Sequence, residues 1–364
     1  MQAQEVLNPE NSRLLRVGVV HWDSVGSHGI ILLLSSTFEE LGCETVDFVH
    51  TERLPENLDM VFAYGPFGSL VPLANRMLAC PPSQRPLFVF RMSEQLPNPD
   101  FPEKLWYGAG LIRSHMERLA FREETPGEWE LRPRLRWLTM KANRFRYYGD
   151  LQWLHQQDIL SLLVIGVRLN AVSGDCLRAR GIDPMPVSLG SHPSWGAELG
   201  LERDIPVLWI GKRATRRRER LLGRIRAELK ERGVEMMMID GIEHPYVFGD
   251  ERTVLLNRTK IVLNLLRERW DSNSLRYYIA APNRAMVITE PVSPPNSFVH
   301  GKHLIEAPIE SMADTICYYL SHEEERQKIA DQAYQFATTD LTMKEGLTRV
   351  LERVTLLRQK VMHH

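Results

Sequence analysis

The residues best placed to do chemistry lie between Asn264 and Glu290. This stretch reads as a strand, a polar loop, a short helix and a second strand. Ser272, Asn273 and Ser274 fall where the helix begins, and Ser274 is a natural N-cap. A helix start offers free N–H groups and the positive end of a dipole, which suit phosphate. Arg267, Arg269 and Arg276 would add charge and forked hydrogen bonds to a diphosphate. An ordinary capped helix with solvated arginines carries the same pattern.

A second segment of this kind is Gly211-Lys212-Arg213, placed between a strand-like run and the basic Arg216-Arg217-Arg218. Gly211 lets a ligand approach the backbone. Lys212 or Arg213 could meet a departing diphosphate. The three consecutive arginines read as a solvated helix face. Without interleaved aromatics they are a weak nucleic-acid signal.

The elements that must position these residues alternate along the chain. In the first half, Arg16–Trp22, Cys43–His50, Asp59–Tyr64 and Arg85–Met92 are short apolar runs that read as strands. Ile30–Leu41, stopped by Gly42, and Leu70–Leu78 read as the helices between them. Asp158–Val167 is apolar but has no period that separates strand from helix, and the stretch from about 100 to 180 is otherwise hard to place. Gly181–Pro193 is rich in Pro, Gly and Ser and reads as a connection between domains.

The rhythm restarts in the second half. Ile205–Ile210, Val234–Ile239, Lys260–Leu266 and Ala285–Thr289 are strand-like. Thr215–Arg232 is a helix with Leu221, Leu222, Ile225 and Leu229 on one face and Gly233 as its cap. A helical turn is expected near Arg252–Asn257 and a short helix over Leu275–Ala281, broken by Pro282. Glu310–Leu320, Glu323–Ala337 and Thr342–Val361 complete the helices. Strands and helices at this spacing imply parallel sheets with right-handed crossovers. The expected class is α/β, with two doubly wound Rossmann-like lobes whose strand ends face a ligand crevice between them.

Bulk properties narrow the function. The 364 residues suffice for two domains. Lys+Arg (45) nearly balance Asp+Glu (46), so no overall basic field invites nucleic acid. Cys43, Cys80, Cys176 and Cys317 form no C-x-x-C pair, which argues against a zinc site and for thiols in a reducing cytoplasm. No apolar run reaches the roughly 18 residues of a membrane span, and the polar start reads as no signal peptide. No G-x-G-x-x-G follows the first strand of either half, which disfavours a dinucleotide enzyme.

Four runs, IPVLWIGKR-x₂-RRRERLL, NRTKIVLNL, SLRYYIAAPNRAMVIT and EEERQKIADQAYQF, together resemble the C-terminal lobe of group 1 glycosyltransferases, nearest the spore-maturation type, over roughly residues 184 to 350. The resemblance implies a GT-B fold, a nucleoside diphosphate sugar donor, a hydroxyl acceptor and no obligate metal or other cofactor. Carried over by position, Gly211, Lys212, Asn264, Ser274 and Arg276 match the family pattern, with Arg213, Arg267, Ser272 and Asn273 beside them. The family often reads R-x-F-E-A-x-A-x-G here. This chain has Ile279 at the Glu position and Arg284 at the Gly position, with Glu268 and Glu290 as the nearby carboxylates. The implied division is an acceptor-side lobe over 1–183, a donor lobe over 184–340 and a C-terminal helix over 341–364 returning to the first lobe.

On the acceptor side an inverting transfer needs a base. His21, Asp23 and His28 lie in or beside the loop after the first strand, and Glu94 follows the fourth. His192, in the turn Gly190–Pro193, reads chiefly as a turn residue. Residues 132–148 carry Arg132, Arg134, Arg136, Lys141, Arg144 and Arg146 among Trp137, Phe145, Tyr147 and Tyr148 with no acid, which suits peripheral contact with a membrane or an anionic acceptor and equally a solvated face with a buried aromatic stripe. Two other readings stay open: a GT-B-like protein that binds a nucleotide sugar or a partner without turnover, and a nucleotide-sugar epimerase.

Overall fold

The computed structural model describes residues 14–22, 28–65, 67–93, 96, 102–125, 128–138, 146–271, 275–292 and 297–362. The chain divides into two compact units. The described residues of Met1–Ile165, Cys176–Met185 and Val350–His364 form the first, and Gly166–Asp175 with Pro186–Arg349 forms the second. A single cut near 183 therefore does not describe the chain, because a short segment on each side of it joins the other unit.

The first unit is built on β1 (Arg16–His21), α1 (His28–Glu40), β2 (Glu44–Val49), β3 (Met60–Gly65), α2 (Val71–Ala79) and β4 (Leu87–Met92). There follow α3 (Glu103–Ala120), β5 (Phe121–Thr125), β6 (Glu128–Leu131), α4 (Arg146–Gln156), β7 (Leu160–Ile165), α5 (Val167–Arg178), which runs across the boundary, and β8 (Met185–Pro186). The main sheet has the order β2-β1-β3-β4-β7-β8. Its strands pair in parallel, for example Val17↔Thr45 and Val17↔Met60. Val17, Val19, Met60, Val61, Phe88 and Val89 are buried, as expected for strands covered on both faces. The ambiguous run at 158–167 is β7, paired with β4. Six residues are too short for a helix of the observed kind and their burial fits an inner strand. The stretch that resisted placement holds α3 and the antiparallel hairpin β5–β6.

The second unit runs β9 (Ile205–Ile210), α6 (Arg216–Glu231), β10 (Met236–Ile239), α7 (Gly249–Asn257), β11 (Thr259–Asn264), α8 (Leu275–Ala280), β12 (Met286–Thr289) and β13 (Ile305–Glu306). Then come α9 (Met312–Ser321), α10 (Glu323–Gln335), a π-helical turn at Phe336–Asp340 and α11 (Met343–Met362). The sheet order is β10-β9-β11-β12-β13, all parallel. Val207, Trp209, Ile261, Leu263, Met286 and Ile288 meet Leu222, Ile225 and Leu229 of α6 in one core. Thr215 caps α6 by accepting from the Arg218 N–H at 3.2 Å. The last turns of α11, from Val350, belong to the first unit, where Arg358 donates to Asp59 at 2.9 Å.

Candidate functional site

The second sheet reverses at β9: the chain leaves β9 for β10 on one side, then crosses back to β11 on the other. The C-terminal ends of β9 and β11, Ile210 and Asn264, flank this switch point, where doubly wound sheets bind ligands. A cavity of about 320 Å³ opens there. Ile210, Gly211, Lys212 and Ala214 line it from the β9–α6 turn, and Arg218 from α6. Tyr246, Val247 and Phe248 come from the loop after β10, and Arg252 from α7. Arg267, Leu275, Arg276 and Ile279 complete the wall. Five of these residues are cations and none is a carboxylate.

Arg276 is the deepest cation. Its Nε donates to the Ile210 carbonyl at 2.7 Å and its Nη1 to Asn264 Oδ1 at 3.0 Å. Its guanidinium lies 3.9 Å from the Trp209 ring centroid. Burial first, and then the neighbouring Arg218, push it down to about 9. Gly211 permits this approach: a Cβ there would come within 2.9 Å of Arg276 Nη2, and the residue has φ +118°. Ala214, three residues on, also has positive φ (63°), so the β9–α6 turn stores strain beside the cavity.

Arg218 is also buried near Trp209, 5.4 Å from the ring centroid. Its Nη1 donates to the Lys212 carbonyl, whereas Nε and Nη2 have no hydrogen-bond partner among the described residues. Burial, chiefly, lowers it to about 10. Asp271 stands 3.7 Å from Arg218 Nη2 and receives Arg267 through Nε at 3.0 Å. Burial works against the Asp271 charge, but Arg267 and Arg218 hold its carboxyl below the ordinary range. Arg252 is lowered by burial alone, and its Nε has no hydrogen-bond partner among the described residues. One buried carboxylate thus stands behind five cations. The remaining field suits an anion.

Among the expected site residues, Gly211, Lys212, Arg267 and Arg276 come together on the cavity. Asn264 is fully buried and acts behind it, donating to Tyr277 and Thr289 while accepting from Arg276. Arg213 does not line the cavity. It donates to Asp240 at 2.6 Å and Glu243 at 2.9 Å, and Asp240 also accepts the Ile242 and Glu243 N–H groups. Arg213 therefore anchors the loop that carries Tyr246 and Phe248. Ser272, Asn273 and Ser274 lie outside the described residues. Helix α8 has only six residues, so its dipole is a slight source of positive potential, and side chains carry the charge instead. Ile279 lines the cavity as an apolar wall. Glu290 is buried and accepts from the Leu266 N–H and from Arg217.

Arg218 corrects the reading of Arg216–Arg218 as a solvated face. It stands in line with Leu222, Ile225 and Leu229, on the stripe of α6 that faces the core. Tyr246, Val247, Phe248 and Arg252 were not anticipated, because no period marks a loop.

In the first unit, His21 ends β1 with Nε2 3.4 Å from Asp47. Asp47 also accepts from Ser35 at 2.6 Å. Asp23 and Glu94 lie outside the described residues, as does the side chain of His28.

Comparison with known proteins agrees with this fold. Residues 211–352 match the family model described as glycosyl transferase-like. No curated protein matches the chain. Among solved structures, Anabaena HepE in complex with UDP-glucose superposes with a TM-score of 0.56 at 9% identity, covering 94% of this chain and 99% of that one. AviGT4, a glycosyltransferase involved in avilamycin A biosynthesis, gives 0.52 at 12% identity over 94% and 98%. TarM of S. aureus gives 0.52 at 9% identity over 81% of this chain but only 55% of its own. The chain likewise spans 60% of the pneumococcal O-GlcNAc transferase GtfA. The fold is that of the GT-B glycosyltransferases. The region that matches the glycosyl transferase-like model begins at the cavity's own Gly211.

Proposed function

We propose that this chain transfers a sugar from a nucleoside diphosphate sugar to a hydroxyl acceptor, and that the cavity at the ends of β9 and β11 holds the donor. The observation that carries the reading is the lining: five cations, no carboxylate, and an apolar side of Tyr246, Val247 and Phe248. The cations take the diphosphate, and the aromatic loop offers its rings to the nucleoside.

When the bond from the sugar's anomeric carbon to the diphosphate breaks, the electron pair stays with the diphosphate, which gains one negative charge. Arg276 and Arg218, held in place before the reaction, stabilise that charge more than the ground state. The acceptor hydroxyl forms the new bond and loses its proton. The same lining favours a reaction without a bound metal, because magnesium is held by carboxylates and this wall has none. The first unit takes the acceptor, with His21, Asp23, His28 and Glu94 as the candidates to receive the proton. The free thiols fit work in the cytoplasm.

A thermal-unfolding screen against UDP, GDP, CDP, TDP and ADP, with and without magnesium, tests the donor assignment. One nucleotide should raise the midpoint by several degrees, equally in either condition. No rise with any of them would remove the cavity from consideration as a donor site.

A further inference from the structure

Helix α3 is built inside out. Successive residues turn by about 100° on a helix, so Leu105, Ile112, Met116 and Leu119 fall within an arc of about 60° and span about 21 Å. All four are exposed, at 63%, 64%, 36% and 57%. The opposite face carries Gly110, Ser114 and Glu117 and packs on α4. Ser114 (0% exposed) donates to Asp150 at 2.6 Å, and Glu117 is 1% exposed. Arg118 donates to Ser114 at 2.8 Å and covers the Trp153 ring. Tyr107 donates to Gln152 at 2.9 Å. The Gly110 carbonyl lies so close to Gly149 that a Cβ there would sit 2.3 Å away. The inner seam is therefore polar and tight, and the leucines face out. A contiguous apolar stripe on the outside marks a contact surface.

Charge indicates what covers it. By the same helical turn, Lys104 and His115 flank the stripe on one side and Arg113 on the other. Both acids of the helix lie on the reverse face: Glu103 pairs with Arg180, and Glu117 is buried. At the C-terminal end the Arg132 N–H donates to Ala120, and exposed Arg132 and Arg134 continue the basic rim. The hairpin next to it is mixed, with exposed Arg122, Glu123 and Glu130. The expectation of a membrane contact at 132–148 is altered in one respect. Tyr147 and Tyr148 are buried, so they give that segment no apolar surface, and α3 supplies one instead.

We propose that this face of α3 lies on an anionic lipid surface, with its leucines in the headgroup boundary and its basic flanks on lipid phosphates. Pairing with a second copy is disfavoured, because it would bring together two faces that are each rimmed by cations. No helix among the described residues is long and apolar enough to cross a membrane, so the contact lies in the interface plane.

The test is sedimentation of the full chain with vesicles of phosphatidylcholine and phosphatidylglycerol in equal parts, and with phosphatidylcholine alone. The chain should sediment with the anionic vesicles, and added salt should weaken the association. Combining Ile112→Glu with Leu119→Glu should reduce partitioning by about tenfold or more. Ile112→Gln, a milder change on the same face, should reduce it less and should unfold at the wild-type temperature. Failure of the wild-type chain to bind anionic vesicles overturns the proposal. So does binding that neither variant alters, or a dimer in sedimentation equilibrium that Ile112→Glu dissociates.

Discussion

The two units share a plan and treat their switch points in opposite ways. In the first, β1 and β3 flank the reversal of strand order. Trp22 stands beside it, its indole donating to the Tyr64 carbonyl and lying 5.0 Å from the His50 ring. In the second, the equivalent place is an open cavity with arginines around it. Both units bury arginines. Arg76 spends its donors on the His50 and Thr51 carbonyls, and Arg91 on those of Met92 and Val164. Arg218 and Arg252 keep donor atoms with no hydrogen-bond partner among the described residues. Arg76 and Arg91, which do not line that cavity, are part of the scaffold. A buried cation with donors to spare is destabilised until an anion arrives. Fold alone does not place the donor site, since both units have the fold. What sets the second unit's switch point apart is its cationic lining.

The comparison breaks most visibly through paired substitutions. Trp22→Ala should cost about 3–5 kcal/mol of stability by leaving a cavity, while nucleoside diphosphate affinity stays near the wild-type value. Arg276→Met should lower affinity, with a smaller cost to stability from the Ile210 and Asn264 acceptors that it leaves unpaired. It removes a charged donor set worth about 1.5–3 kcal/mol to the ligand, so affinity should fall roughly tenfold to a hundredfold. Calorimetric titration and denaturant unfolding of both variants provide the two readouts. If Trp22→Ala weakened nucleotide binding as much as Arg276→Met does, the first unit would share in the donor site and the contrast would be lost.

The parts of the fold legible in the sequence were those with a period. β9, β10, β11 and β12 stand out as apolar runs, and α6 shows its face through Leu222, Ile225 and Leu229. Gly211-Lys212 was legible because a glycine after a strand needs a reason. Arg218 was hidden by its neighbours: three consecutive arginines look alike, yet only the third falls on the core stripe. Tyr246 and Phe248 gave no signal, since a loop's position depends on contacts such as Arg213 to Asp240, which no local pattern records. Helix α3 shows a further limit. Periodicity tells that a helix has an apolar face but not which way that face is turned. Here Ser114 and Glu117 take the inside, and the leucines are left outside.

Backbone strain separates the units as well, and it gives the smallest and sharpest test. Among the described residues, the non-glycine positions with positive φ in the first unit are Asn57 and Asp158, types that tolerate this conformation. In the second unit they are Ala214 and Arg284, which do not. Arg284 has φ 50° and ψ 31° where the resembling family reads glycine, at the end of the turn that follows Arg276 and Ile279. It is held there by Glu198 at 2.8 Å, by Asp331 and by stacking 4.3 Å from the Tyr334 ring centroid. Arg284→Ala and Arg284→Gly both lose those partners, but only glycine releases the strain. The glycine variant should therefore be the more stable of the two by about 1 kcal/mol, read as a difference in urea midpoints at equal slope. Equal midpoints would mean that the turn relaxes once the ion pairs are gone. The left-handed conformation would then be imposed by Glu198 and Asp331, and would not be a demand of the backbone that carries Arg276.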